Sequence, residues 1–192
     1  MFKQLCIALF AAASVLLSAH ATIVRPLSLD EMTASAATIF QGKCVANKTV
    51  REPNSKLIVT YTTFAITDAI KGSPGTTLTI KQFGGTLPEE GARMSIEGVP
   101  TFTPGEDYLV FLNGVSSLGF SSPTGLSQGR FSIEATAEGV RTSNGRDFRE
   151  MTARLPARHL SKTLRTTPSQ RVTHLHLDEL KGMVRSLSAV QP

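Results

Sequence analysis

The sequence predicts an all-β fold: a small antiparallel barrel with a short N-terminal helix and a C-terminal helix. About six segments between residues 37 and 140 are rich in β-branched and aromatic residues, and Gly/Pro turns separate them. No stretch of helical periodicity interrupts these segments. Short strands joined by turns build an antiparallel barrel or sandwich.

The first twenty-one residues have the organisation of a secretory signal peptide. Lys3 precedes an apolar run over 5–17, and Ala19-His20-Ala21 supplies an A-x-A cleavage site. The run is shorter than the ~20 residues of a membrane helix, and no second run follows it. We therefore expect a periplasmic or secreted chain that begins at Thr22 and has no transmembrane span.

A capping box predicts the N-terminal helix. Glu31 follows Ser28 by three residues, which is the spacing at which the two side chains can bond each other's backbone N–H groups. We expect a helix over 29–36.

Strands follow from residue 37. Phe64 and Ile66 alternate with threonines, the pattern of a half-buried strand, whereas the continuous apolar run 108–112 is typical of a strand buried on both faces. Residues 47–55 are polar and are expected to connect two strands. The predicted strands are 38–45, 57–70, 76–83, 93–96, 108–112 and 130–135, with an edge strand near Val140. Their number and length favour a partly open barrel of the OB type over a seven-stranded sandwich.

Four motifs in this order resemble a known pattern. They are Ile39-Phe40-Gln41-Gly42, Ala69-Ile70-Lys71-Gly72, Gly84-Gly85 and Gly105-Glu106-Asp107-Tyr108-Leu109-Val110. Over about residues 29–135 the chain resembles uncharacterised secreted bacterial proteins and, more distantly, netrin-like domains such as the tissue inhibitors of metalloproteinases. The resemblance implies an OB-type barrel.

The resemblance does not carry over the inhibitory residues of that family. Those inhibitors begin with a disulfide-bonded cysteine whose amine and carbonyl chelate the zinc of the protease. Here Thr22 occupies the expected N-terminus, and Cys44 is the one thiol of the mature chain because Cys6 lies in the signal peptide. We expect Cys44 to be a buried, inert thiol, with a reactive or dimer-forming thiol as the alternative.

Composition divides the chain into a signal peptide (1–21), a β-barrel domain (22–140), a basic flexible segment (141–172) and a C-terminal helix (173–192). The basic segment holds eight Lys/Arg against two Asp/Glu, a net charge of +6, and lacks periodicity. We expect it to be a mobile loop that is either simply solvated or binds an anionic partner through Arg154, Arg158 and Arg165. In the C-terminal helix one face carries Leu177, Leu180, Val184 and Leu187, with Met183 beside them.

Two patterns suggest chemistry, and both are weak. Gly125-Leu126-Ser127-Gln128-Gly129 matches the G-x-S-x-G nucleophile elbow, but that motif needs a strand before the serine and a helix after it, and here the neighbours are loop and strand. His174 and His176 could share one side of a strand, but a zinc site needs at least three protein ligands. We therefore predict no catalytic residue, no metal and no cofactor.

The predicted function is an exported, non-enzymatic binding module. Its expected partner is a secreted protein or an anionic envelope polymer, and not a nucleic acid, since the aromatic residues fall mainly at core positions. The first alternative is a protein associated with a secreted protease, either an inhibitor or a chaperone. The second is a serine hydrolase that uses Ser127. The sequence leaves the ligand and the oligomeric state open.

Overall fold

An antiparallel sheet organises the chain. The structure is a computed structural model that describes residues 24–53, 55–167 and 169–189. The strands of the described residues are β1 (Thr38–Arg51), β2 (Ile58–Lys71), β3 (Thr77–Phe83), β4 (Gly85–Leu87), β5 (Ala92–Met94), β6 (Asp107–Leu112), β7 (Arg130–Thr136), β8 (Gly139–Ser143) and β9 (Leu175–His176). Seven of them form one sheet in the order β3-β2-β1-β6-β7-β8-β9, and β4 pairs with β5 as a separate hairpin.

Short helices cover one side of the sheet. They are α1 (Leu29–Ser35), α2 (Phe148–Thr152), α3 (Lys162–Thr166) and α4 (Leu177–Ser188). In α1 the Glu31 carboxylate accepts a hydrogen bond from the Ser28 N–H at 2.9 Å, as the capping box predicts. That bond, followed by one from Arg25, lowers the pKa of Glu31 to about 2. In the described residues, no helix has the length and apolar character needed to cross a membrane.

The first two strands form a long, bent hairpin. β1 pairs with β2 from Ile39 to Arg51, so the prediction of a polar connection over 47–55 is wrong for its first half. The polar residues there are ladder positions, and the chain turns only after Arg51. The pairing register shifts at Gly42, where a Cβ would lie 2.8 Å from the Ala65 carbonyl oxygen. A glycine at this bulge lets the two backbones approach closely.

β6 lies between two hydrophobic cores, and the prediction that both of its faces are buried is confirmed: its five residues from Tyr108 to Leu112 are at most 4% exposed. Alternate residues of a strand point to opposite faces. One set joins the helix-side core, which includes Leu29, Ile39, Leu109, Phe111, Phe131, Phe148, Leu180 and Val184. The other joins the inner core, formed by Phe40, Cys44, Phe64, Ile80, Phe102, Tyr108, Val110 and Leu112.

The interpretation of 141–172 as a loop without secondary structure is wrong. The segment contains the end of β8, the helices α2 and α3, and the 3-10 turn Ala157–His159. Its scattered apolar side chains belong to the helix-side core: Phe148 and Met151 are fully buried, and Leu164 is 3% exposed. Helices of five residues are too short to repeat an apolar face, which is why the sequence shows no periodicity there.

The C-terminal helix is confirmed, beginning at Leu177 rather than at 173. The predicted face of α4, Leu177, Leu180, Met183, Val184 and Leu187, is buried. Asp68 of β2 fixes the helix to the sheet through ion pairs with Lys181 at 2.5 Å and Arg185 at 2.7 Å.

The prediction of an all-β fold is confirmed as a mostly antiparallel sheet with short helices. The sheet is open within the described residues, since the outer strands β3 and β9 each pair with a single neighbour. Closure into a barrel stays a prediction. The predicted signal peptide and Thr22 lie outside the described residues.

Candidate functional site

The basic segment forms a layer of short helices on the helix-side core. We call residues 144–167 and 169–171 the basic layer. Phe148, Met151 and Leu164 anchor it from below. The carboxylate of Asp147 caps the N-terminus of α2 and also accepts a hydrogen bond from the N–H of Val172 at 3.1 Å. The layer is therefore tied to the core at both ends.

Two arginines of the segment serve the fold. Arg149 donates to the carbonyl oxygens of Gln170 and Leu164, at 2.7 and 3.3 Å, and to the Thr167 hydroxyl at 3.1 Å. It thereby closes the chain around α3.

Arg146 donates at 2.7 Å both to the carbonyl oxygen of Leu27 and to the side-chain oxygen of Gln128. Burial lowers the pKa of this guanidinium, which nevertheless stays charged at any ordinary pH.

The three predicted binding residues lie on the outside of the basic layer, on successive elements: Arg154 follows α2, Arg158 lies in the 3-10 turn, and Arg165 lies in α3. Arg154 is 74% exposed and stands 3.7 Å from Glu31, a loose pair. Arg158 donates to a ring nitrogen of His159 at 3.1 Å. Among the described residues, no hydrogen bond or ion pair engages the side chain of Arg165. The same is true of the exposed Lys162 and Arg171.

Ser127 does not sit in a nucleophile elbow. It is exposed in the 3-10 turn Leu126–Gly129, which leads directly into β7 instead of a helix. The cavity beside it, of about 260 Å³, is lined by Val24, Pro26, Gly98, Gly125, Leu126, Ser127, Gln128 and Arg146. The ionisable side chain in this set is that of Arg146, which cannot act as a general base because it does not lose its proton.

A serine and a histidine that the sequence analysis did not connect do meet. His159 Nδ1 lies 2.7 Å from the Ser186 hydroxyl. Because Arg158 donates to Nε2, that nitrogen is the acceptor of the neutral ring and Nδ1 carries the proton. Nδ1 therefore donates its proton to the Ser186 hydroxyl oxygen, and in this arrangement the ring cannot act as a base that removes the serine proton. The pair ties the 3-10 turn Ala157–His159 to α4.

The other candidate residues are dispersed. His174 is exposed and bonds Thr173 at 3.0 Å, and His176 is exposed just before α4. In the described residues, no three His, Cys, Asp or Glu side chains are close enough to hold a metal ion. Cys44 is fully buried in the inner core, and burial raises the pKa of its thiol. The expected burial of Cys44 is confirmed, and its inertness stays a prediction, since buried thiols in apolar surroundings are typically unreactive.

A polar cavity of about 250 Å³ lies at one end of the inner core, and the sequence analysis missed it. Its polar lining residues are Asn47, Thr49, Thr60, Thr62, Gln82, Thr86, Ser95 and Thr101. Along β2 the inward positions run from Phe64 to Thr62 and Thr60, and along β3 from Ile80 to Gln82, so the inner face changes from apolar to polar. Those polar residues at inward positions were the available signal.

The lining of the cavity is cross-linked by hydrogen bonds. The side-chain oxygen of Asn47 accepts from Thr62 at 2.8 Å, and its nitrogen donates to the Phe102 carbonyl oxygen at 2.6 Å. The hydroxyls of Thr49 and Thr60 lie 3.0 Å apart. Gly85 brings the β4–β5 hairpin against this pair: a Cβ there would lie 2.5 Å from both side chains.

No protein-family model and no curated protein sequence matches this chain. The chain's own residues are therefore the basis for proposing a function.

Proposed function

We propose that this protein is an exported, non-enzymatic binding module that contacts an anionic polymer of the cell envelope through the basic layer. The contacting residues are Arg154, Arg158 and Arg165. Export to the periplasm or beyond rests on the signal peptide that the sequence predicts.

One observation carries the proposal: exposed cations without strong partners are mounted on backbone that is already fixed. The core anchors Phe148 and Leu164 and the hydrogen bonds of Arg149 hold the layer in place. Binding therefore need not order this backbone, and ordering is one of the main costs of association. The net charge of +6 over 141–172 adds a long-range attraction for polyanions.

The number of acidic neighbours distinguishes the three exposed arginines from basic side chains elsewhere in the fold. Elsewhere many basic side chains are neutralised, such as Lys43 by Asp107 at 2.7 Å and Arg51 by Glu90 at 2.6 Å. Within the part of the chain that the structure describes, the one acidic contact of Arg154, Arg158 and Arg165 is the 3.7 Å approach of Arg154 to Glu31. The three exposed arginines are thus available to sulfate, phosphate or carboxylate groups.

A binding role also agrees with the chemistry at the two serine sites. Ser127 has no basic partner in its cavity, and the tautomer of His159 makes it a donor to Ser186. If neither serine is activated, a fluorophosphonate probe will leave the protein unlabelled. Labelling at Ser127 would instead support the hydrolase alternative.

For the fold we propose an OB-type, netrin-like barrel that stays open between the outer strands β3 and β9. β1 is fourteen residues long and has three register shifts, which bend a strand. It pairs with β2 along most of its length and with β6 only over Thr38–Lys43, so the sheet curls around the inner core. An experimental structure with a flat sheet would contradict this.

The decisive experiment measures binding to dextran sulfate, with neutral dextran as the matched polymer. The test variant is R154A/R158A/R165A. The control is K48A/K56A/R93A, which removes three exposed charges from other surfaces. A basic side chain gains ~1 kcal/mol at an anionic surface, so the test variant should bind about 100-fold more weakly. Affinity of the unmodified protein should also fall steeply with salt.

Two results would contradict the proposal. Equal losses in the two triple variants would mean that binding follows net charge and has no site. Equal binding of both dextrans would mean that charge is not recognised.

A further inference from the structure

We propose that the polar cavity at the end of the inner core binds one residue of a neutral, hydroxyl-rich molecule, such as a sugar ring or a small polyol. This site is separate from the basic layer: it is built from β1, β2, β3, residues 84–86 and the chain between 94 and 102, and it shares no residue with the anionic-polymer surface. The two proposals can therefore fail independently.

The chemistry of the lining suits a neutral, polar ligand. Half of the sixteen lining residues carry a hydroxyl or amide side chain, and none carries a charge. Hydroxyl and amide groups both donate and accept hydrogen bonds, as sugar hydroxyls do. An anionic or cationic ligand would find no counter-charge here, so the cavity selects for neutral ligands.

Gln82 has hydrogen-bonding capacity that the surrounding protein does not use. Its side chain is 97% buried by the surrounding protein, being 3% exposed. A glutamine amide offers two donors and two acceptor sites, and buried amides normally have partners. To the residues that the structure describes, the Gln82 side chain makes one weak hydrogen bond, from its nitrogen to the Pro100 carbonyl oxygen at 3.5 Å. The remaining capacity of this lining residue suits a ligand with several hydroxyl groups.

Hydrogen bonds already orient the polar groups that neighbour Gln82. Thr62 and Asn47 bond each other, and Asn47 is also held by the Phe102 carbonyl oxygen. Thr60 donates to the Gly84 carbonyl oxygen at 2.7 Å. A ligand would meet a rigid set of hydroxyls, and rigid sites lose less entropy on binding.

The apolar part of the cavity wall and the volume of the cavity also fit a sugar ring. The apolar side chains of the lining are those of Phe83, Met94, Ile96, Val99, Pro100 and Phe102, and Gly84 and Gly85 complete it. A sugar ring has an apolar C–H face and a polar rim, which matches a cavity with both kinds of wall. The volume of about 250 Å³ is below the ~300–1,000 Å³ typical of drug-sized ligands, which favours a single ring.

The test is an NMR titration of the full mature chain with glucose, N-acetylglucosamine, glucuronic acid and cyclohexanol. We expect the two neutral sugars to shift the amide signals of Asn47, Thr62 and Gln82, with a Kd of roughly 1 mM. Glucuronic acid lacks a counter-charge in the cavity, and cyclohexanol lacks the hydroxyl groups. Both should bind at least tenfold more weakly, since a buried polar site rejects a ligand that cannot bond it.

Variants locate the site. Gln82→Leu removes the amide from the cavity, and Ser95→Trp fills the cavity mouth from an exposed position where folding should not suffer. Each should abolish the sugar-induced shifts. Thr63→Val is the matched control, because Thr63 neighbours Thr62 but bonds Thr79 at 2.9 Å instead of lining the cavity.

Three results would overturn the inference: no shifts at about ten times the expected Kd, shifts confined to the basic layer, or unchanged binding by Ser95→Trp. The anionic-polymer proposal would be untouched by the first and third of these.

Discussion

The two faces of the sheet differ in what lies against them: helices cover one face, and a polar cavity continues the core of the other. The helix-side core is covered by α1, α2, α3 and α4, whose apolar side chains pack on those of the sheet. The inner core begins with a chain of edge-to-face aromatic contacts, Phe40 to Phe64 to Phe102 to Tyr108, and changes into the polar cavity. The same strands supply both faces through alternate residues. The covered face supplies stability, whereas the face that ends in hydroxyl and amide groups retains hydrogen-bonding capacity for a ligand.

The strongest way to break this comparison is to remove an anchor of the basic layer. Phe148→Ala deletes a fully buried ring that packs against Phe131, with centroids 5.9 Å apart. We expect the free energy of unfolding to fall by about 3–5 kcal/mol, as for other buried phenylalanines. Urea denaturation followed by circular dichroism measures it.

Phe64→Ala is the matched substitution in the inner core and should lower the free energy of unfolding by a similar amount. If Phe148→Ala changed stability by less than ~0.5 kcal/mol, the value typical of surface sites, residues 141–172 would be a loop after all.

A smaller effect is expected from the arginine that closes the basic layer. Arg149→Ala removes three hydrogen bonds from a charged donor and leaves two carbonyl oxygens without that partner. We expect a loss of ~2 kcal/mol of stability, measured by thermal and urea denaturation. Arg154→Ala removes the same side chain from a 74% exposed position and should change stability by no more than ~0.5 kcal/mol. Equal effects would erase the distinction between structural and free arginines.

The smallest effect should come from the ion pairs that join α4 to the sheet, and it depends on pH. Burial raises the pKa of Asp68, but hydrogen bonds from Lys181 and Arg185 outweigh burial and lower the pKa overall. The unfolded state therefore takes up this proton first. The stabilisation is complete above the unfolded pKa of ~3.9 and is lost as the pH falls through the folded pKa.

Asp68→Asn should accordingly lower the free energy of unfolding by ~1 kcal/mol at neutral pH, with a difference from the unmodified protein that shrinks as the pH falls below about 4. Urea denaturation at a series of pH values measures this. A difference that stays constant with pH would show that Asp68 acts through packing alone.

Patterns within one element predicted structure well. The uninterrupted apolar run of β6 predicted burial on both faces, and the spacing of Leu177, Leu180, Val184 and Leu187 predicted the buried face of α4. In each case the signal lies in one stretch of chain and does not depend on which element packs against it.

Features that depend on partners were missed. Thr60, Thr62 and Gln82 are ordinary strand residues in sequence, and only the pairing of β1, β2 and β3 turns them toward one cavity. The register shift between Cys44 and Ala46 adds to the difficulty, because it changes which residues of β1 face inward beyond it.

In the basic segment, charge concealed structure. Arg146 and Arg149 counted toward an exposed basic patch, but their guanidinium groups bond backbone carbonyl oxygens inside the fold. The exposed positions of Arg154, Arg158 and Arg165 agree with the sequence analysis, and the order of the backbone that carries them does not. Isolated apolar residues between arginines are weak predictors, because one anchor per turn is enough to fix a short helix.

The buried thiol of Cys44 is a built-in probe of local opening of the inner core. The sulfur is enclosed by the aromatic rings of the inner core, so a thiol reagent can reach it only when that part of the sheet separates. The rate at which the reagent modifies Cys44 in native buffer therefore reports how often this part of the sheet opens. If a sugar binds in the neighbouring cavity, this rate should fall.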